Sequence, residues 1–414
     1  MSADDATQVM ELQGLYGPFQ FPELLLQRIW AERAFCVSDG RTANGEAVRI
    51  DTVGRWNRQG GPDFKGARVC VGGQWLHGDV ELHLREEDWR HHRHAADPAY
   101  NEVVLHVVLF PPEVGTTTRG AQGAIPVLPL LPLLWHDLEE YASDAAVSAI
   151  AARPADRLAE DWLELDEEAR AERVEREARR RWTAKMRYAR LRVERLGWES
   201  ACHHTALEIL GYRFNRAPML EVASRWPLGE WRGGAVDPEA AYEALSGRWS
   251  LQGVRPANHP RKRLAAYARW IGEGTEAWPR VLARMAEAWP AATQVGDIRE
   301  WRREAGWSDW RASVMKAIGA AEVVPRPRAD NLWGDGLLPL LAARGGEAGE
   351  ASYFPWWFGA WPGDQPGAIV KAARLIGLAD GGRRHPLAWG HVQALLGWQH
   401  ARDAEALSAS GRRT

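Results

Sequence analysis

The sequence is short of cysteine, of long apolar runs and of net charge, and each shortage excludes something. Its three cysteines, Cys36, Cys70 and Cys202, lie far apart and form no CxxC pair. They supply neither a disulfide framework nor a thiolate zinc site, and they fit a reducing compartment. No stretch approaches the roughly 20 uninterrupted apolar residues of a membrane span. The N-terminal MSADDATQVMELQG is acidic and has no basic segment followed by an apolar one. No secretory signal is read there, and a cytoplasmic location is expected. The formal charge of −3 gives no global attraction to nucleic acid or to an anionic membrane, so any such contact needs a local patch. No repeat of fixed period is found.

What is there is ordinary globular composition over 414 residues, enough chain for two or three domains. Expected are a domain over residues 1–150, a helical domain over 151–325 and a C-terminal helical segment over 326–414 packed on the rest. In the first, Leu25, Leu26, Ile29, Trp30 and Ala34 recur at helical spacing after Pro22, a tolerated first-turn residue. Strands are read at 47–53, 64–71, 75–84 and 103–110, the last nearly all apolar, as in a strand covered on both faces. The order is helix, three strands, a short connection and a strand. From about Pro154 the chain is densely charged and helix-forming, with no strand pattern. A break at PRPRADNLWGDG precedes a last helical segment, whose aromatic run YFPWWFGAW is expected to pack domains together.

Two carboxylates stand out. A three-residue turn at residues 72–74 pairs Val71 with Trp75, which sets Asp63 opposite His83 and Lys65 opposite Glu81. Asp63, Lys65, Glu81 and His83 then share one face. A two-residue turn shifts the register by one and moves Asp63 to the other face, unless a bulge intervenes. Two close carboxylates repel unless one is protonated or a cation sits between them. Oxygen ligands on a partly open site suit Mg²⁺ or Mn²⁺, with His83 orienting or deprotonating a water.

Pro62-Asp63 followed by Glu81-Leu82-His83 resembles the PD-(D/E)xK nuclease signature, and the element order resembles that superfamily's core. The resemblance implies a restriction-endonuclease-like mixed sheet of α+β class, followed by an all-α region. His83 stands where that family carries lysine, with Arg85 as a substitute cation. An acid on the first helix often joins the metal in that superfamily, which nominates Glu23; the alternative for Glu23 is an N-terminal-turn acid favoured by the helix dipole. A closer resemblance runs through WNRQGGPDF, GDVELH, DWRHHRH, DPAYNEVVLHVV, ALEILGYRFNRAPM and VRPANHPRKRLA. These are similar to the bacterial domain-of-unknown-function family 2851, a name that implies no activity.

Other residues have two readings each. His91, His92, His94 and Asp97 are metal-ligand types without diagnostic spacing, so an exposed polar loop is the plainer reading; His92 and His94 also suit a substrate cleft. His106, inside VVLHVVL, reads as a hydrogen-bonded core histidine. Arg261 and Arg263 crowd a helix N-terminus, where the dipole disfavours cations. With Arg255 they suit a phosphate backbone or, equally, carboxylates of the first domain. The expectation is a Mg²⁺- or Mn²⁺-dependent nuclease, with DNA ahead of RNA as substrate. The alternative is an inactive nucleic-acid or protein interaction module on the same fold, with a protein partner or a second copy of the chain left open.

Overall fold

The computed structural model describes residues 9–14, 17–120, 123–212, 214–272, 276–292, 294–379 and 386–411. The chain divides into two compact units, Met1–Ala142 and Ser143–Thr414. Residues 326–414 fall within the second unit.

In the first unit, β1 (Val9–Gly14) pairs antiparallel with β2 (Gly17–Pro22), which runs into helix α1 (Glu23–Glu32). Leu25, Leu26, Ile29 and Trp30 are buried as their spacing predicts, and α1 packs on the main sheet. That sheet comprises β3 (Val48–Thr52), β4 (Arg55–Trp56), β5 (Phe64–Val71), β6 (Gln74–His83), β7 (Val103–Val108), β8 (Thr117–Gly120) and β9 (Gly123–Pro129). Its order is β3-β5-β6-β7-β9-β8, with β4 also on β5. The β3, β5 and β6 neighbours are antiparallel, whereas β7 runs parallel to β6 and β9 parallel to β7. A parallel neighbour cannot be reached by a tight turn. The chain between β6 and β7 therefore crosses one face of the sheet, through the short helix α2 (Asp88–His91) and two 3₁₀ turns.

The β5–β6 turn differs from the three-residue expectation. Val71 pairs with Gln74, leaving Gly72-Gly73 as a two-residue turn with φ of +57° and +91°. Such tight turns need positive φ at both central residues and match the twist of the strands they join. Alone, this turn would turn Asp63 away from Glu81. A bulge restores the parity: Ala67 pairs with Gly78 but Phe64 pairs with Val80, so Lys65 and Gly66 together face Asp79. Gly66 has φ +69°, and its backbone N–H donates to Asp79 Oδ1 at 3.1 Å, while Lys65 Nζ meets Asp79 Oδ2 at 2.7 Å. Turn and bulge together move each expected partner by two: continuing the register, Asp63 lines up with Glu81 and Lys65 with Asp79.

Among its described residues the second unit is helical throughout, from α3 (Leu138–Ala151, which begins in the first unit) and α4 (Ala155–Leu163) to the 30-residue α5 (Glu167–Leu196) and beyond. The aromatic run supplies Trp356 and Trp357 to this unit's own core.

Two outcomes follow from this architecture. A Cβ at Gly66 would meet nothing within 4 Å, so Gly66→Ala carries only the backbone penalty of a left-handed L residue, about 1 kcal/mol. Amide exchange of β5 and β6 should quicken roughly five-fold, with Gly60→Ala, also in open space but without positive φ, near neutral. Unchanged exchange in Gly66→Ala would contradict the bulge. In the helical unit, burial pushes His203 down to about 3, and His204, His391 and His400 down to about 4. Each takes a proton more readily unfolded, near pH 6.5, than folded. Stability is therefore full above about pH 6.5 and declines as pH falls toward 4. Thermal melts at pH 7 and pH 5 test this; an equal or higher melting temperature at pH 5 would refute it.

Candidate metal centre

The parallel register sets Glu81 beside His106 and His83 beside Val108, so Glu81, His83 and His106 share one face of the sheet. The other face carries Val80, Leu82, Leu105 and Val107, all fully buried. The β6–β7 crossover lies over the polar face. Trp89 of α2 closes it, its ring 5.3 Å from His106 and 5.2 Å from His94. Arg93 adopts a left-handed backbone, φ +59°, between His92 and His94. That conformation is costly for a residue with a Cβ, and it turns the chain back so that both histidines reach one point.

That point is the end of His83. His83 Nε2 lies 3.2 Å from His92 Nδ1, 3.3 Å from His94 Nε2 and 3.7 Å from Glu81 Oε1. His94 Nε2 lies 3.3 Å from the same carboxylate oxygen. Among the described residues, His83, His92 and His94 are the group whose ligand atoms converge, all within 4.8 Å of one another. His91 and Asp97 stand apart. His91 is largely exposed beside Asp88, and Asp97 accepts the Ala99 N–H.

Behind the cluster runs a buried chain. His83 Nδ1 is 2.9 Å from His106 Nε2, and His106 Nδ1 is 2.6 Å from Thr118 Oγ1. His106 is the hydrogen-bonded core histidine its apolar setting suggests. Burial first, then the imidazoles of His106, His94 and His92, hold His83 well below its ordinary range. Burial, then His94, pushes His106 down to about 3. Both rings are neutral at pH 7, each with one N–H to place.

Asp63 and Glu81 are linked through backbone amides. The Asp63 backbone N–H donates to Glu81 Oε2 at 2.9 Å, and the Leu82 N–H donates to Asp63 Oδ2 at 3.0 Å. Gln27 Nε2 donates to Asp63 Oδ1 at 2.6 Å, while Gln27 Oε1 accepts from Trp56 Nε1 at 3.3 Å. Sequence reasoning missed Gln27; its place one helical turn after Glu23 was the available signal. Glu23 is buried in the first turn of α1. Arg85 lies over the Phe110 ring, and its backbone N–H donates to Asp88.

The cations expected at phosphate are in the second unit. Arg255 is exposed. Arg261 is exposed and paired with Glu239 and Glu243 at 3.0 and 2.9 Å. Arg263 is buried, donating to Tyr212 Oη at 2.8 Å and to Asn258 Oδ1 at 2.7 Å. Two of the matching segments quoted above thus meet within the helical unit at Tyr212 and Arg263.

A family model described as "Protein of unknown function (DUF2851)" matches residues 23–246. No curated protein and no solved structure matches the chain. The matched stretch is more than half of the sequence and takes in α1, the whole main sheet and the histidine cluster. On that match the chain belongs to the DUF2851 family of proteins of unknown function.

Proposed function

We propose that the first unit is a metal-dependent phosphodiesterase acting on nucleic acid, DNA ahead of RNA, with Asp63 and Glu81 as carboxylate ligands and His83 serving the attacking water. The observation that carries this reading is the meeting of Asp63 and Glu81, aligned across the bulged hairpin and tied by the Asp63 N–H. Element order supports it: a helix, three antiparallel strands, a short crossover and a parallel strand resemble the restriction-endonuclease-like core. On that resemblance the acids would be Glu23, Asp63 and Glu81.

This chain's own residues have definable tasks. Gln27 and the Leu82 amide fix the Asp63 carboxylate, and the Asp63 amide fixes that of Glu81. A bound Mg²⁺ or Mn²⁺ supplies a Lewis acid for the phosphate oxygen and lowers the pKa of water. His83, buried and neutral, accepts a proton but cannot supply the positive charge of the family's lysine. The nearest candidate lysine, Lys65, is paired with Asp79. Exposed Arg255 and Arg261 suit sequence-independent phosphate contact, whereas Arg263 builds the start of its own helix.

One observation favours a second reading, a binding module without catalysis: both Asp63 oxygens already accept protein hydrogen bonds, and the lysine is missing. A cleavage assay with Mg²⁺ and Mn²⁺ on duplex, single-stranded and branched DNA and on RNA separates the two. Cleavage that falls more than about 100-fold in Glu81→Gln and Asp63→Asn is expected, since a lost ligand should cost at least what a lost outer partner does. Binding without cleavage by the wild type would hand the site to the second reading, and cleavage unchanged in both variants would sink the first.

A further inference from the structure

The family resemblance leads to carboxylates and a hard cation, but the histidines converge on chemistry of another kind. We propose that His83, His92 and His94, with the Glu81 carboxylate beside His83 and His94, form a binding site for a transition-metal ion of the Zn²⁺ class.

Distance is the first argument. Zn–N bonds of about 2.0–2.1 Å at tetrahedral angles set ligand atoms about 3.3–3.4 Å apart. The contacts His83–His92, His83–His94 and His94–Glu81 measure 3.2, 3.3 and 3.3 Å, and His83–Glu81 measures 3.7 Å. Proton count is the second. A ring nitrogen carries one proton or one lone pair, so His83 Nε2 satisfies only one of its three close neighbours at a time. A single cation among them satisfies all at once. The third is the outer partner. With His83 Nδ1–H donating to His106 Nε2, and His106 Nδ1–H to Thr118 Oγ1, the Nε2 lone pair of His83 faces the cluster. Metal-bound histidines are oriented by such an outer hydrogen bond, which also makes the ligand more basic. The left-handed Arg93 between two of the ligands is the fourth, a local cost that convergence of His92 and His94 explains.

Three converging imidazoles, with one carboxylate beside two of them, select a borderline metal. Mg²⁺ prefers octahedral oxygen and is bound weakly by such a set, while Zn²⁺ is bound well. The site shares Glu81 with the phosphodiesterase reading but stands on the imidazoles, so either can fail alone.

The test uses the full chain, stripped with chelator and titrated with Zn²⁺ by calorimetry, with Co²⁺ absorption as a geometric reporter. One Zn²⁺ per chain is expected, not displaced by millimolar Mg²⁺, together with visible Co²⁺ bands of tetrahedral intensity. His92→Ala and His94→Ala should weaken Zn²⁺ binding more than about 100-fold. Exposed His77→Ala should leave it unchanged. His92 is itself exposed, so its variant should melt with the wild type in chelator and keep the test valid if His94→Ala fails to fold. Equal Zn²⁺ affinity in wild type and His92→Ala, or ready displacement by Mg²⁺, would overturn the site. Zn²⁺ binding without any cleavage keeps this inference and removes the phosphodiesterase; Mg²⁺-dependent cleavage without Zn²⁺ affinity does the reverse.

Discussion

A β-strand has two faces, and every residue must choose one of them. The candidate site depends on that parity, and parity here is decided twice. The Gly72-Gly73 turn sets it one way and the Lys65-Gly66 bulge reverses it, with the Asp79 carboxylate fastening the reversal through the Gly66 amide and the Lys65 ammonium. With only one of the two devices, Asp63 would lie with Phe64's neighbours on the apolar side. With both, it meets Glu81, on the face that also carries His106.

The second constraint is the change of direction between β6 and β7. Antiparallel strands need only two residues to connect, but a parallel partner demands a crossover, and a crossover must lie on a face. This one lies on the polar face and brings Trp89, His92 and His94 with it. A length of chain that topology requires in any case thereby delivers two side chains to the end of His83. The sheet contributes buried Glu81 and His83, the latter linked through His106 to Thr118; the crossover contributes buried His94 and exposed His92.

Much of this was legible beforehand, for identifiable reasons. The helix at Leu25, Leu26, Ile29 and Trp30 and the strands over Phe64–Val71 and Val103–Val108 have clean periodicities. β9 was not legible, because Pro126 and Pro129 mark a segment as loop and only its neighbours make it a strand. Turn length was undecidable in Gly72-Gly73-Gln74, where either count of residues is acceptable locally. The acids Asp63 and Glu81 were found by their motif; His83, His92 and His94 were picked out by residue type, but their convergence was not. His92 and His94 follow no ligand spacing, since the left-handed Arg93 that brings them together has no signature in the letters H-R-H. The basic stretch before Leu264 shows the opposite failure: Arg263 looked free for a ligand and is enclosed by Tyr212 and Asn258.

The tryptophans have a practical consequence for anyone observing this protein. Of the 23, only Trp30, Trp56, Trp75, Trp89 and Trp135 belong to the first unit; the rest lie in the helical one. There they touch in series, Trp289 against Trp310, Trp333 and Trp356, and Trp301 against Trp356. Indoles at such separations pass excitation among themselves, so the emission spectrum is a collective property of the helical core. Intrinsic fluorescence will chiefly report the melting of that core, and the first unit's own signal, from buried Trp30 and Trp89, will emerge cleanly only when the helical indoles are replaced.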